Sequence, residues 1–494
     1  MTQIGTVIAT SDSPSLDLIV LILEKKKQSL VEKSQFVTIA RNDSSVVLGI
    51  IVGIKKYNTY YETLDSSVHE IASQNYEAIF PIEEWENTRA DVKPLGEFEI
   101  DTDKIHRLRF PVSPGSKAFI SSSSIVSKFL GLDKNGIYWG NLPSNNVKIK
   151  INLSRLLRKH LAILAISGAG KSYATSILIE EIYKHGKLGT FVIDPHGEYS
   201  SILPSITPKA NVDVIQGSFV SIGVPELSAW EISDFLPEIS VVQTRVLDTI
   251  ISNLKKESNR LYGLQEIIQN IETSELINPR TREALIGWLD SLRRTYLFSA
   301  KTSPEPQELI HPGKIVILDL SEIQSLWHRQ IIVLHFLKRL YRLRMQKEIP
   351  PSLFVIEEAH QFCPANSRSV SKRIIETIAR EGRKFYASLC LISQRPVNMS
   401  VTALSQCNSN LILRIRNPYD QDFIAKTSEG IDRSTLKMIP SLEIGEALLV
   451  GEAINHPTFF QIRSRTYKSK DTSLNLELMA DQYYKEWQSV YKKK

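Results

Sequence analysis

A six-residue loop of mostly small side chains, at positions 167–172, constrains the fold of this 494-residue chain more than any other feature. It follows an apolar strand predicted over Leu161–Ile166 and opens a helix predicted over Tyr173–Lys184. In this setting the backbone N–H groups turn inward and the helix adds the positive end of its dipole, so the loop is suited to phosphate. The alternative is a chance Gly-Lys-Ser at a helix start. The predicted nucleotide site comprises Ser167, Gly168, Ala169, Gly170, Lys171, Ser172 and Tyr173.

Two side chains of this loop receive specific roles. Lys171 is expected to reach the β- and γ-phosphates of ATP, and the Ser172 hydroxyl is expected to bind Mg²⁺. The chain departs from the usual G-x-x-x-x-G-K-[ST] pattern at Ala165, where the first glycine should fall. We expect Gly168 to supply part of the flexibility that is lost there.

Apolar runs alternate with amphipathic segments from residue 161 onward, which is typical of a mainly parallel sheet with helices on both faces. Between about residues 226 and 300 the strands stop, and we predict an inserted helical subdomain that opens with a capping box at Ser228–Glu231. The predicted strands of this α/β core are Leu161–Ile166, Leu188–Asp194, Val212–Gln216, Ile315–Leu320, Leu353–Glu357, Tyr386–Ser393, Leu411–Ile415 and Ala447–Val450.

The first hundred residues have a different pattern, with short β-type runs between turns rich in Ser, Asp, Asn and Gly. The runs are Ile4–Ile8, Leu16–Leu23, Phe36–Ala40 and Val46–Ile54. We therefore predict a small β-barrel over 1–100, a connector over 101–155, the α/β core over 156–467 and a basic helical tail over 468–494.

Polar residues follow three of the predicted core strands. Because ligands bind at the carboxyl ends of parallel strands, these residues are expected at the nucleotide site. We assign Glu357 to the metal shell and Glu358 to activation of the attacking water, since phosphoryl transfer to water needs both roles. Gln394 is placed to sense the γ-phosphate or that water, and Asp194 to fix Lys171 or the metal shell. Paired acids at a strand end are also commonly just solvated; the phosphate loop upstream favours the functional interpretation.

Basic residues cluster between the acidic strand and the strand that ends in Gln394. Arg380 or Arg383 could enter the nucleotide site of a neighbouring subunit, where a guanidinium stabilises the transition-state charge. The sequence does not decide between them, and an ordinary solvated basic helix is the alternative. Arg368, Lys372 and Arg373 could line a pore and contact phosphates of DNA, or form a solvated face.

Composition narrows the class of protein. The charge is uneven, with 9 basic and 15 acidic residues in 1–100 but 51 and 39 in the remainder, a net +12 that gives weak support for a polyanionic partner. We see no signal peptide and no apolar run of the roughly 20 residues needed to cross a bilayer, so we expect a cytoplasmic protein without membrane contact. The three cysteines, Cys363, Cys390 and Cys407, lack metal-ligand spacing and are expected to be buried.

Several motifs in order closely resemble the HerA branch of the HerA/FtsK superfamily, the hexameric DNA-pumping ATPases of archaea. The resemblance implies a RecA-like core, a homohexameric ring around double-stranded DNA, and ATP sites between subunits. It also implies partnership with a NurA-like nuclease docked on the barrel and with Mre11–Rad50. The motifs that carry it are the junction 158–164, the loop 167–172, and segments 194–199, 356–360, 379–384, 392–396, 445–447 and 451–453.

Together with the predicted nucleotide site, the resemblance implies an ATP-dependent DNA translocase or helicase that acts in double-strand-break repair and end resection with a nuclease. Two other functions use the same residues. An ATPase of the same superfamily can drive conjugative DNA transfer or secretion at a membrane, and a ring motor can engage protein instead of DNA. A non-catalytic subunit with a degenerate site is disfavoured because the lysine, acids and glutamine are all present.

Overall fold

The computed structural model describes most of the chain and resolves it into two compact units. One unit comprises Met1–Glu181 and Leu353–Arg463, and the other comprises Ile182–Ser352 and Ser464–Lys494. The predicted tail over 468–494 lies outside the described residues except for five positions in helical conformation. The described residues are 2–41, 44–57, 86–100, 102, 104–206, 211–236, 238–257, 262–274, 277–428, 430–466, 480–481 and 483–485.

Among the described residues, seven strands precede the first α-helix, and strands and helices intermix after it. The described strands are β1 Gln3–Ile8, β2 Ile19–Leu23, β3 Phe36–Ala40, β4 Ser45–Tyr57, β5 Asn87–Glu99, β6 Lys104–His106, β7 Lys117–Ile120, β8 Ile137–Leu142, β9 Val147–Ile151, β10 Leu161–Leu164, β11 Gly189–Asp194, β12 Val212–Gln216, β13 Ile222–Gly223, β14 Phe298–Ser299, β15 Ile315–Asp319, β16 Ser352–Ile356, β17 Ala387–Ser393, β18 Ser409–Ile412, β19 Glu446–Gly451 and β20 Thr458–Ile462. The described α-helices are α1 Ser123–Leu130, α2 Leu153–Leu157, α3 Lys171–His185, α4 Glu198–Ile206, α5 Ala229–Asp234, α6 Val241–Glu257, α7 Leu264–Thr273, α8 Pro279–Arg293, α9 Pro306–Leu309, α10 Leu326–Met345, α11 Ala359–Phe362, α12 Lys372–Glu381, α13 Val401–Leu404, α14 Pro418–Thr427 and α15 Arg433–Met438.

The N-terminal strands form a closed barrel. Six strands follow the order β2-β1-β7-β3-β4-β5, and β2 pairs with β5 to close the sheet, while β6 extends it beside β5. Closure removes the exposed strand edges that an open sheet of this size would present. Alternate side chains such as Ile4, Ile19, Val37 and Val92 fill the interior and are fully buried.

The barrel extends past residue 100, where we predicted its end. Strand β7 inserts between β1 and β3, and its residues belonged to the predicted connector. Strands β8 and β9 of the same stretch pair with each other and, through β20, join the core sheet. The stretch 101–155 is therefore divided between barrel and core. Its prolines mark turns between short strands, each too short to give a long apolar run.

The core sheet of the first unit is mixed. Its strands follow the order β16-β17-β10-β18-β19-β20-β8-β9. Strand β10 lies at the centre of the parallel part, paired parallel with β17 and β18, and is fully buried. From β18 to β9 the pairings are antiparallel. On this sheet Trp139 of β8 is buried and donates its indole N–H to the carbonyl of Ala174 in α3 (3.1 Å).

The second unit contains a parallel three-stranded arrangement in the order β12-β15-β11. The long helix α10 begins after Ser325, whose side chain caps its first turn, and most of its apolar residues are buried, with Leu326 and Met345 exposed at its two ends. Helices α5 to α8 occupy the region of the predicted insertion. The predicted capping box is confirmed, because Ser228 and Glu231 each bond the other's backbone N–H. Among the described residues, no helix is both long and apolar enough to cross a membrane.

Candidate functional site

The phosphate loop leaves the carboxyl end of β10 and leads directly into α3. Gly168 and Gly170 adopt φ of +75° and +95°, a left-handed backbone that favours glycine. The N–H of Ala165 donates to the carbonyl of Ser393 (3.2 Å), and the N–H of Ile166 donates to the carbonyl of Arg414 (3.1 Å). Position 165 therefore continues the hydrogen bonding of the sheet one residue beyond β10, with a φ that is not positive. This explains why alanine is tolerated where the usual pattern has its first glycine.

Lys171, the first residue of α3, is held by two carboxylates. Its Nζ contacts Oε1 of Glu357 and lies 2.6 Å from Oε1 of Glu358. All three side chains are buried, with exposed fractions of 7% or less. Burial alone would lower the pKa of Lys171, but the negative charges of Glu357 and Glu358 outweigh it and raise the pKa above its usual value. The lysine is therefore a charged ammonium group in a buried site.

Glu358 lies in a network that joins two strand ends. Its backbone has φ of +48°, a left-handed conformation that is uncommon for a non-glycine residue and tends to occur at functional sites. Gln394 Nε2 donates to Glu358 Oε1, and His360 Nδ1 lies 3.2 Å from Glu358 Oε2. The same His360 nitrogen lies 3.2 Å from the hydroxyl of Ser393. The structure thus brings Lys171, Glu357, Glu358 and Gln394 together, and their predicted catalytic and metal-binding roles stay predictions.

His360 and Ser393 also belong to this network, although neither was predicted as a site residue. Their positions in the sequence could have identified them, because His360 lies two residues after Glu358 and Ser393 directly precedes Gln394. The Ser393 hydroxyl also accepts the N–H of Arg395 (3.0 Å), which fixes the turn after β17.

Asp194 ends β11 in the second unit and caps a helix. Its carboxylate accepts N–H groups from Glu198 (3.1 Å), Tyr199 (2.8 Å) and Ser200 (3.1 Å) at the start of α4. Burial raises its pKa despite these bonds, and the charge of Asp319, its partner in register on β15, acts in the same direction. These bonds account for a capping role. The predicted role toward Lys171 or the metal shell stays a prediction.

The predicted basic residues lie on one helix and the segments that flank it. Arg380 lies in the last turn of α12 and Arg383 in the 3₁₀ turn that follows, and both are exposed. Arg368 and Arg373 are also exposed, while Lys372 donates to the carbonyl of Ala365 (3.0 Å). Their proposed contacts with a neighbouring nucleotide and with DNA stay predictions.

The residues predicted to bind Mg²⁺ fit that ion in chemistry. Within the described ranges no three His, Cys, Asp or Glu side chains cluster as a metal site. Mg²⁺ does not require one in a nucleotide site, because it takes one or two protein oxygens together with phosphate oxygens and water. Ser172 offers a hydroxyl at the second position of α3, and Glu357 offers a buried carboxylate at the end of β16.

A phosphate loop after a central parallel strand, with two carboxylates and a glutamine at adjoining strand ends, defines a P-loop ATPase. Solved structures agree on the fold. VirB4 of Thermoanaerobacter pseudethanolicus aligns with a TM-score of 0.53 and 16% identity, covering 68% of this chain and 98% of that one. The bacterial conjugative coupling protein TrwB aligns with a TM-score of 0.51 and 11% identity, covering 71% and 93%. The predicted RecA-like α/β fold with an N-terminal barrel is confirmed.

Sequence comparison identifies the family. Residues 137–340 match the family described as "Helicase HerA, central domain". The probable DNA double-strand break repair helicase HerA of Methanocaldococcus jannaschii is 30% identical over 459 residues, covering 80% of this chain and 90% of that protein. The DNA double-strand break repair helicase HerA of Pyrococcus furiosus is 27% identical over 490 residues, covering 87% and 88%. The chain belongs to the HerA family, as the resemblance indicated, and is an ATP-hydrolysing enzyme.

Proposed function

We propose that this protein is an ATP-dependent motor that translocates on double-stranded DNA as a homohexameric ring in double-strand-break repair. The observation that carries the proposal is the network of buried Lys171, Glu357 and Glu358 with half-buried Gln394 beside the phosphate loop. The names of the relatives, DNA double-strand break repair helicases, supply the substrate class.

The network suggests how nucleotide binding prepares the site for hydrolysis. Lys171 contacts both carboxylates, which occupy two of the three N–H donors of its ammonium group. Reaching both the β- and the γ-phosphate needs two donors, so at least one of these contacts must loosen when ATP binds. Phosphate oxygens of ATP then replace the carboxylates as its partners. Glu358 is released to accept a proton from the attacking water, and Gln394, already bonded to Glu358, is placed to orient that water.

Ser172 and Glu357 would hold Mg²⁺ in this site. When bound, Mg²⁺ neutralises the charge that develops on the phosphate oxygens. Glu357 directly follows β16, and its side chain is 1% exposed, so its carboxylate is a buried oxygen ligand beside Lys171.

The assembly and the partners extend the proposal beyond one chain. Arg380 or Arg383, exposed at the end of α12, would enter the nucleotide site of a neighbouring subunit, and Arg368, Lys372 and Arg373 would contact DNA phosphates. The net charge of +12 over 101–494 supports a polyanionic partner. The barrel would dock a NurA-like nuclease for end resection, with Mre11–Rad50 as a further partner in the cytoplasm.

The experiment that tests the proposal measures ATP hydrolysis without DNA, with long duplex and with single strands, over a salt series. Wild type is compared with Lys171→Ala and Glu358→Gln, and with Lys437→Ala, a change of an exposed lysine on α15, as the matched control. We expect duplex-stimulated turnover that both site variants lose and the control keeps. Stimulation should fall as salt rises, because phosphate contacts depend on counterion release.

Two results would contradict parts of the proposal. Full turnover in Lys171→Ala or Glu358→Gln would refute the site. Lysine-dependent turnover that no DNA stimulates, with or without a partner nuclease, would favour a motor that engages protein. The fold shared with VirB4 and TrwB does not by itself favour conjugative transfer, because likeness at 16% identity or less shows the fold alone.

A further inference from the structure

His160, which immediately precedes β10, is a buried histidine that the nucleotide site does not use. It is 1% exposed and has φ of +60°, a left-handed conformation that histidine and asparagine adopt more readily than most side chains. Its Nδ1 accepts the N–H of Leu389 (2.9 Å), and its Nε2 lies 2.9 Å from the carbonyl oxygen of Ala379. Because an N–H donates to Nδ1, the proton of the neutral ring is on Nε2, which donates to Ala379.

These two bonds join three elements of the first unit. His160 leads into β10 and the phosphate loop, and Leu389 lies in β17, which ends four residues later at Ser393 beside Gln394. Ala379 lies in the last turn of α12, next to Arg380. One imidazole thus connects the arginine-bearing end of α12 to the two strands that carry the phosphate loop and Gln394.

The carbonyl of Ala379 lies where a helix needs partners from outside. The last four carbonyl groups of a helix lack N–H partners within it, and α12 ends at Glu381. The N–H of Gly382, the next residue, donates to the carbonyl of Ile378, and His160 bonds the carbonyl of Ala379. The same turn packs tightly on the strand: a Cβ at Gly382 would lie 2.4 Å from the carbonyl oxygen of Ala387. The end of α12 is therefore fixed by a close approach on one side and by the His160 bond on the other.

A purely structural role explains these features less well. A buried apolar side chain would fill the same space without the cost of desolvating two ring nitrogens, which is offset only if both are hydrogen-bonded. Both ring nitrogens bond main-chain groups of different elements, so the imidazole fixes backbone positions as well as filling space.

We propose that His160 is a positioning residue, which through its bond to Ala379 sets the place of Arg380 and Arg383 relative to β10. The inference rests on the proposed function, specifically on an arginine of this segment acting at a neighbouring nucleotide. Misplacing such a group by about 1 Å lowers turnover on the order of 10- to 100-fold, with little effect on binding of ATP to its own subunit.

Two amide substitutions separate the two bonds. The amide of His160→Gln reaches the position of Nε2 and can still donate to Ala379. The amide of His160→Asn reaches only the position of Nδ1, so it keeps the bond to Leu389 and loses the one to Ala379. We expect His160→Asn to lower kcat for ATP about tenfold or more with KM nearly unchanged, and His160→Gln to retain most of kcat. Both are measured well below their unfolding temperatures.

The decisive measurement repeats His160→Asn in a background that carries Arg380→Ala and Arg383→Ala. If His160 acts through these arginines, the substitution lowers kcat no further there, because coupled residues are non-additive. An equal fold-loss in both backgrounds, or loss of kcat in His160→Gln equal to that in His160→Asn, would overturn the inference.

The same data distinguish this inference from the proposed function. Lysine-dependent hydrolysis that is unaffected by the two arginine changes overturns the positioning role and leaves the ATPase assignment intact. If the protein does not hydrolyse ATP, or if Lys171→Ala hydrolyses it as fast as wild type, the proposed function is overturned, and the inference with it.

Discussion

Replacement of Lys171 by methionine should destabilise the protein even without nucleotide. The substitution keeps an unbranched apolar stem and removes the ammonium group, so Glu357 and Glu358, exposed by 1% and 3%, lose their shared cation. Removing one partner of a buried ion pair costs about 3–5 kcal/mol. With two carboxylates depending on one lysine, we take about 4 kcal/mol. At roughly 2 °C per kcal/mol for a large unit, Tm should fall by about 8 °C.

The assay is thermal unfolding without nucleotide, with three comparisons. Lys437→Met, on the exposed surface of α15, should melt within about 1 °C of wild type, because surface changes lie within about 0.5 kcal/mol. Adding Glu357→Gln and Glu358→Gln to Lys171→Met should recover about half of the loss, since neutral amides need no cation. If Lys171→Met has the same Tm as wild type, or if the triple variant has a lower Tm than Lys171→Met, the carboxylates do not hold the lysine.

Two further changes test the environment of a histidine and of a glycine. Burial, with the nearby charge of Arg339, lowers the pKa of His335 to about 4, and the charge of Glu231 only partly opposes this. The unfolded chain takes up this proton near pH 6.5, so stability falls as pH drops from 6.5 toward 4, by about 2 kcal/mol at pH 5. Urea unfolding of His335→Leu should lack this loss, and an unchanged pH dependence would contradict it. Gly382→Ala places a Cβ 2.4 Å from the Ala387 carbonyl and should lower Tm and ATP turnover, whereas Gly287→Ala in α8, with open space, should not.

Much of the fold could be predicted because its signals are local. A buried parallel strand appears as a continuous apolar run, and β10 to β12 and β15 to β19 begin and end within a few residues of the predicted runs. The phosphate loop is recognisable because its glycines, lysine and following helix are consecutive. The end of the barrel was not predictable in this way, since Lys117–Ile120 becomes a strand only by pairing between β1 and β3.

The interactions of the site, in contrast, depend on strand order, which no local pattern encodes. Gln394 bonds Glu358, 36 residues away in sequence, because β16 and β17 are neighbours in the sheet. Lys171 reaches Glu358, 187 residues away, because β10 lies on the other side of β17. The sequence predicts that each side chain lies at a strand end, yet it does not say which partners meet. The same holds for His160, whose bonds to Ala379 and Leu389 span 219 and 229 residues. Residue types thus predict the chemistry of this site, whereas the order of its strands decides which groups neutralise and position one another.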